Sequence, residues 1–345
     1  MFNTIEKTNY IPAKVDEILV PHKAFQNAKE RLQHHLLAAQ HYKEPTCIAV
    51  IGDSRAGKSR LIGNLVKEFT KKRTDEGMEI PILSIRTPSK PTVKGLVETM
   101  LREMGDPLWH KRGSEIEKTE RLYTLVKQTK TIAVVIDEFQ HFYDKVSHKI
   151  QHHLSDWLKI FVDRSKLMLI VVGLPACMAV INQNEQLRGR FIAPIYMPRF
   201  TWEDKNGRVE FMACLGAFQA ALNRFDIVNL SSDEMAFRFY CATGGLIGYI
   251  AKILHEACLN AQLSYAENAK LTITLSDLAV AYENALWQDS VVTQINPFAK
   301  GFDPTPTNHL IEMAKKIGIA SQEETKTRRV SAKYDTPSSS KVLSK

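Results

Sequence analysis

Up to about residue 200 the chain alternates between two kinds of pattern. Short apolar runs of strand length occur at Thr46–Ile51, Ile80–Arg86, Thr131–Ile136, Leu167–Val172 and Phe191–Met197. Between them apolar residues recur at helical spacing, over Lys58–Lys72, Thr92–Met104, Ser114–Gln128 and His148–Asp163. A further helix is expected from about Pro21 to Tyr42, on Phe25, Leu32, Leu36 and Leu37. Ser114, with Glu117 three residues later, reads as a capping box. Strands that alternate with helices predict an α/β domain whose five-stranded parallel sheet is covered on both faces.

After about Phe200 the pattern turns helical. Helices are expected at Glu203–Asn223, Ser232–Ala242, Leu246–Ser264 and Ser276–Gln288, with Leu271–Leu275 as the one strand-like run. Ser231 with Glu234, and Ser276, act as start signals. The expected organisation is an extended arm over 1–20, an α/β core over 21–200, a small all-helical domain over 201–295, and a flexible basic tail over 296–345, where Pro, Thr, Ser and Lys dominate.

At 345 residues the chain fits one large domain or two modest ones, and 44% apolar content suffices for a core without metal or disulfide staples. Its 46 Lys and Arg against 38 Asp and Glu leave +8, which suits a polyanionic partner and equally an ordinary basic soluble protein. Cys47, Cys177, Cys214, Cys241 and Cys258 are scattered without zinc-ligand or redox spacing, which fits free thiols in a reducing cytoplasm. With no signal-peptide run and no membrane-length apolar stretch, a membrane role is not expected.

The segment Gly52-Asp53-Ser54-Arg55-Ala56-Gly57-Lys58-Ser59 follows the first apolar run and opens a helical pattern, the setting a phosphate-binding loop requires. Gly52 and Gly57 let the backbone curl around phosphate oxygens. The loop N–H groups and the helix N-terminus present positive partial charge. Lys58 is placed to reach the β- and γ-phosphates and Ser59 to coordinate Mg2+, with Arg60 next in the nucleotide-binding set. The run Ile132–Ile136 then delivers Asp137 and Glu138 to the C-terminal edge of the sheet, where open parallel sheets bind ligands. Asp137 is expected to hold Mg2+, and Glu138 to act as general base on the attacking water. No Asn-Lys-x-Asp motif for reading guanine is present, so ATP is favoured over GTP.

This arrangement of motifs resembles the AAA+ ATPases, which implies a P-loop core followed by a helical lid. In that group the strand after the Asp-Glu pair usually ends in a polar sensor, whereas here Leu167–Val172 ends in Gly173, so that side chain is missing or displaced. The resemblance also implies an arginine finger from Gln186-Leu187-Arg188-Gly189-Arg190-Phe191, with Arg190 favoured and Arg188 second. The region Gly244–Tyr249 lacks the lid arginine of the group; Lys252 is the nearest cation and is not assigned.

Within the group, Asp137-Glu138-Phe139-Gln140-His141, Ile170–Ala176, Asn184–Phe191 and Thr243–Gly248 are similar to the transposition-regulator ATPases TnsC and TniB, over about residues 20–290. That resemblance implies an ATP-dependent DNA-binding regulator of DNA transposition. It would form homo-oligomeric rings or filaments on double-stranded DNA, with about six or seven subunits per ring or turn, and link a target-selection protein or complex to transposase subunits. Some members serve CRISPR-associated transposons. Elements after the second strand line the DNA-facing pore in related proteins, which makes Lys90, Lys94, Lys111, Arg112, Lys118 and Arg121 candidates for phosphate contacts. The alternatives are a replication-initiator or helicase-loader ATPase, and a signalling or secretion ATPase of the ExeA type that does not bind DNA. His141, His148, His152 and His153 lack an HExxH arrangement and are set aside as a metal site. Trp109, Trp157, Trp202 and Trp287 are read as core or interface anchors. Lys326, Arg328, Arg329 and Lys333 in the tail could bind DNA, dock a partner, or only solvate it.

Overall fold

The computed structural model describes residues 15, 18, 20, 22–39, 44–89, 91–263, 271–286 and 295–318. The chain divides into two compact units, Pro21–Pro198 and a second made of Arg199–Lys345 with Met1–Val20.

The first unit begins with α1 (Lys23–Ala39), β1 (Cys47–Gly52) and α2 (Lys58–Glu68). A hairpin of β2 (Lys72–Thr74) and β3 (Gly77–Glu79) leads to β4 (Ile82–Arg86), α3 (Val93–Glu103) and α4 (Glu115–Gln128). Then come β5 (Ala133–Asp137), α5 (His141–Asp144), α6 (His148–Ser165), β6 (Met168–Gly173), α7 (Cys177–Ile181), α8 (Glu185–Arg188) and β7 (Ile195–Met197). The sheet order is β4-β5-β6-β1-β7, and every pairing is parallel. The strands are apolar at consecutive positions because both faces are covered. Ala49, Ile51, Leu83, Ile85, Val134, Ile136, Leu169 and Val171 join the core formed with α3, α4 and α6, and the intervening Ile48, Val50, Val135 and Ile170 are equally buried. On α6, Trp157 stacks on Phe161 at 4.9 Å between centroids, and Phe161 on Tyr123 of α4 at 5.6 Å.

Two expected elements are shorter. α2 stops at Glu68, and the hairpin takes up Lys72–Thr74, turning at Asp75-Glu76 into Gly77, whose φ is 134°. The run from Phe191 is a strand only over Ile195–Met197. Phe191 makes an isolated bridge to Cys47, and Pro194, with no N–H to offer, precedes the strand. The capping box at Ser114 and Glu117 is formed, at 3.2 and 2.7 Å.

The second unit holds α9 (Lys205–Ala221), β8 (Asp226–Ile227), α10 (Asp233–Thr243), α11 (Ile247–Leu263), β9 (Thr272–Ile273), α12 (Leu275–Ala285) and α13 (Asn308–Lys315). β8 and β9 make a two-residue parallel ladder. Two start signals move. Ser232 rather than Ser231 caps α10, and Thr274 caps α12 in a reciprocal box with Asp277, leaving Ser276 inside the helix. Trp202, Phe211, Phe237 and Tyr240 form one aromatic cluster, and Phe239, Phe298 and Tyr282 another. The segment from 296, expected as a tail, supplies Phe298, Phe302 and α13 to this core. From the segment expected as an arm, Val15 and Val20 are buried here as well. Trp287 and the tail cations Lys326, Arg328, Arg329 and Lys333 lie outside the described residues.

Arg238 on α10 ties the second unit together. It is 4% exposed and donates to the carbonyls of Pro297 at 2.7 Å, Ala299 at 3.3 Å and Phe302 at 3.4 Å, while pairing with Glu234 one turn earlier. No described helix is long and apolar enough to cross a membrane.

Candidate active site

The site forms at the C-terminal edge of the sheet, where β1 and β5 release their chains into loops. Gly52 ends β1 against β7, and a Cβ there would collide with the Met197 carbonyl. The loop needs two left-handed residues, Arg55 at φ 66° and Gly57 at φ 93°, and the Ala56 N–H closes it onto the Asp53 carbonyl at 3.3 Å. Ser54 and Arg55 are exposed, and Arg60 is half-buried on α2.

Lys58, the first residue of α2, turns back over this loop. Its ammonium donates to the carbonyls of Gly52 at 2.9 Å and Asp53 at 2.7 Å. Burial holds its pKa below the ordinary lysine value, against the raising pull of Glu138, Asp137 and Asp53. Cys177, at the start of α7, is an electrostatic neighbour of Lys58, and burial pushes its thiol up to about 12. It is therefore a neutral, inert wall beside the loop.

β6 is inserted between β1 and β5, yet the two loops meet above it. Ser59 Oγ donates to Asp137 Oδ2 at 2.8 Å across 78 residues of sequence. The other carboxylate oxygen of Asp137 accepts the Glu138 N–H at 2.8 Å. Thr87, buried just past β4, donates to the Asp137 carbonyl with both its N–H and its hydroxyl at 2.9 Å. Glu138 stands at φ 57°, a left-handed conformation held by these bonds and by Phe139 N–H on the Val172 carbonyl. Gln140 donates to the Glu138 carboxylate and accepts the Leu174 N–H at 3.2 Å. Thr87 and Gln140 were not among the expected site residues. Gln140 carried a signal, two positions after Glu138, but its side chain's direction depends on β6.

The structure places the remaining expected residues as follows. Arg190 pairs with Glu44 at 2.7 Å and Asp163 at 3.2 Å, and is 27% exposed. Arg188, at the end of α8, is exposed. Lys94, Lys111 and Arg112 are exposed, but Lys94 opens α3 and the other two follow its far end. Lys118 corrects an expectation: it is 6% exposed, donates to the Trp109 carbonyl at 2.7 Å and pairs with Glu98 at 3.0 Å, so it faces the α3–α4 contact instead of DNA. Arg121 is tied to the buried Asp106 at 2.7 Å. Lys90 lies outside the described residues. Among the described residues no group of three or more His, Cys, Asp or Glu is placed to hold a metal by itself.

A phosphate loop closing β1 onto α2, an acidic pair at the end of β5, and an inserted strand between them define an ATPase of the AAA+ class. Solved structures share this fold: an ORC2 protein of Aeropyrum pernix in its ADPNP–ADP complexes at TM-score 0.59, with 12% identity over 81% of this chain and 74% of that one; Cdc6p of Pyrobaculum aerophilum at 0.56, with 14% identity over 88% and 82%; and the ORC1 protein of Aeropyrum pernix in complex with DNA at 0.57, with 13% identity over 82% and 69%. A family model for the bacterial TniB protein matches residues 13–202, more than half of the chain, and the chain belongs to that family. No curated protein matches it.

Proposed function

We propose that this protein is an ATP- and Mg2+-dependent regulator of DNA transposition that assembles on double-stranded DNA and couples its assembly to ATP hydrolysis. The observation that carries the catalytic part is the 2.8 Å contact between Ser59 and Asp137, with Glu138 next in the chain. Ser59 Oγ and Asp137 Oδ2 are hard oxygen donors close enough to share one cation, and such sites hold Mg2+ together with phosphate oxygens. When bound, the cation offsets phosphate charge. The loop amides and Lys58 hold the β- and γ-phosphates. Lys58 would exchange its two carbonyl partners for phosphate oxygens. Glu138 takes the proton of the attacking water as its oxygen bonds the γ-phosphorus and the bond to the β-phosphate oxygen breaks.

Arg188 is the better finger candidate, because Arg190 is already paired within its own chain while Arg188 is exposed. A finger acts on a neighbour's nucleotide, so the active form is a homo-oligomer, ring or filament. The DNA role and the transposase and target-selection partners rest on membership of the TniB family. Lys94, Lys111 and Arg112 are the exposed candidates for phosphate contacts.

The initiator or loader reading is favoured by a different observation, the likeness to ORC and Cdc6 structures, one of which was solved in complex with DNA. Anisotropy on a labelled random-sequence duplex tests the DNA role, using Glu138→Gln with ATP or ADP at two salt concentrations. Cooperative, salt-sensitive binding with ATP alone is expected; no binding in either nucleotide state would overturn the DNA role. Co-precipitation with a cognate transposase, compared with a replicative helicase, then separates the two DNA readings.

A further inference from the structure

The polar contact to Glu138 comes from the connection after β5 and not from the end of β6. β6 ends in Gly173, which has no side chain to offer, and the place where one would project is filled by Gln140. A Cβ built on Gly173 would collide with Gln140 Oε1 and crowd the backbone nitrogens of Gln140 and Phe139 at 3.3 and 3.4 Å. From that place the Gln140 amide bonds in two directions. Its NH2 donates to Glu138 Oε2, and its carbonyl oxygen accepts from Leu174 N–H, the first residue past β6. Gln140 is 5% exposed, so both bonds form out of bulk water, where an amide has few alternatives. Glu138 itself sits in a left-handed conformation, which persists only where the surrounding bonds hold the backbone in place.

We propose that Gln140 is the positioning residue for Glu138. Its amide fixes the carboxylate relative to the end of β6, and Gly173 is a glycine because Gln140 needs its space. The two positions form a matched pair, with the polar side chain carried on the β5 loop and the strand end left bare. The consequence is a mechanical link: the Leu174 N–H and the Glu138 carboxylate share one amide, so a shift of the β6–α7 connection turns the base. This rests on Glu138 being the general base, as argued above.

The experiment measures steady-state ATP hydrolysis by the full chain with duplex DNA, alongside fluorescent ATP-analogue binding and melting temperature. Gln140→Ala is expected to lower kcat about tenfold with KM, analogue affinity and melting temperature unchanged, since the base is freed to wander while the phosphate site is intact. Gln140→Glu sets a second carboxylate against Glu138. That is expected to move the acid limb of the kcat profile upward by about one pH unit, because like charges disfavour the ionised base. Adding Gly173→Asn to Gln140→Ala returns an amide to the place from the other strand and is expected to regain most of the lost kcat. A Gln140→Ala kcat within twofold of wild type with an unmoved pH profile in Gln140→Glu would overturn the proposal. So would losses of kcat, affinity and melting temperature together, which mark a structural role. Glu138→Gln run beside them separates the two levels. If it hydrolyses ATP like wild type, the base assignment falls and this proposal with it; if it is inactive while Gln140→Ala is normal, only the positioning role falls.

Discussion

Lys58 in the first unit and Arg238 in the second make the same kind of contact, a side-chain cation donating to main-chain carbonyls. Lys58 reaches two carbonyls in its own loop, six and five residues away. Arg238 reaches three carbonyls some 60 residues away and is tied to Glu234 as well. The lysine is a compact charge on a flexible stem, and its partners can be replaced by phosphate oxygens. The arginine is a planar fork whose donors point at fixed carbonyls inside an aromatic core, so it has nothing to exchange. On the proposed function, the first contact marks where a ligand's phosphate would take over from the carbonyls, and the second is a fastener. The contrast runs through both units. In the first, polar groups gather at the strand ends, at Ser59, Asp137, Glu138 and Gln140. In the second, Arg238 and Thr243, 4% and 0% exposed, donate to backbone carbonyls, and Arg238 also to the Glu234 carboxylate on its own helix.

The largest effect is expected from Glu138→Gln, which should bind ATP yet lose about a thousandfold in turnover, roughly 4 kcal/mol of barrier. Normal phosphate release would remove Glu138 from the chemistry. Arg238→Ala should lower unfolding free energy by about 3 kcal/mol, since three carbonyls lose a buried donor. ATP affinity per folded molecule should stay as in wild type, and urea titration with ligand-binding controls would show otherwise. Lys58→Ala should do the reverse. Its melting temperature should hold while ATP affinity drops about a hundredfold. The pH dependence adds to this: on the proposed function Lys58 would bind phosphate only when protonated, and burial lowers its pKa. Wild-type ATP affinity should therefore decline, as pH rises, earlier than an ordinary lysine would allow, and the Lys58→Ala profile should be flat over that range. The smallest effect is expected at the exposed cations. Lys111→Ala or Arg112→Ala should weaken duplex binding only a few-fold, reducing the salt slope by about one where a phosphate contact is lost. Lys118→Ala should instead lower stability, because its ammonium is buried against Glu98.

Much of the first unit was legible because its signals are local. The loop of Gly52–Ser59 and the apolar run into Asp137-Glu138 carry their chemistry in consecutive residues, and a parallel sheet buried on both faces makes its strands apolar throughout. The hairpin at Lys72–Glu79 was hidden because its strands are exposed and short, with no apolar face to betray them. The segments before 21 and after 295 read as arm and tail because isolated residues such as Val15, Phe298 and Phe302 show no period; their burial depends on an aromatic core built elsewhere in the chain.

By itself the amino-acid sequence determined which loop curls, which lysine opens the helix behind it, and which carboxylates end a strand, since each follows from neighbours in the chain. Only the tertiary structure decided that β6 lies between β1 and β5, that Ser59 and Asp137 nonetheless touch, that Lys118 turns inward and Arg190 is paired, and that Gln140 fills the place left by Gly173. Strand order and side-chain partners are set by packing between segments tens of residues apart, and no spacing along the chain records them.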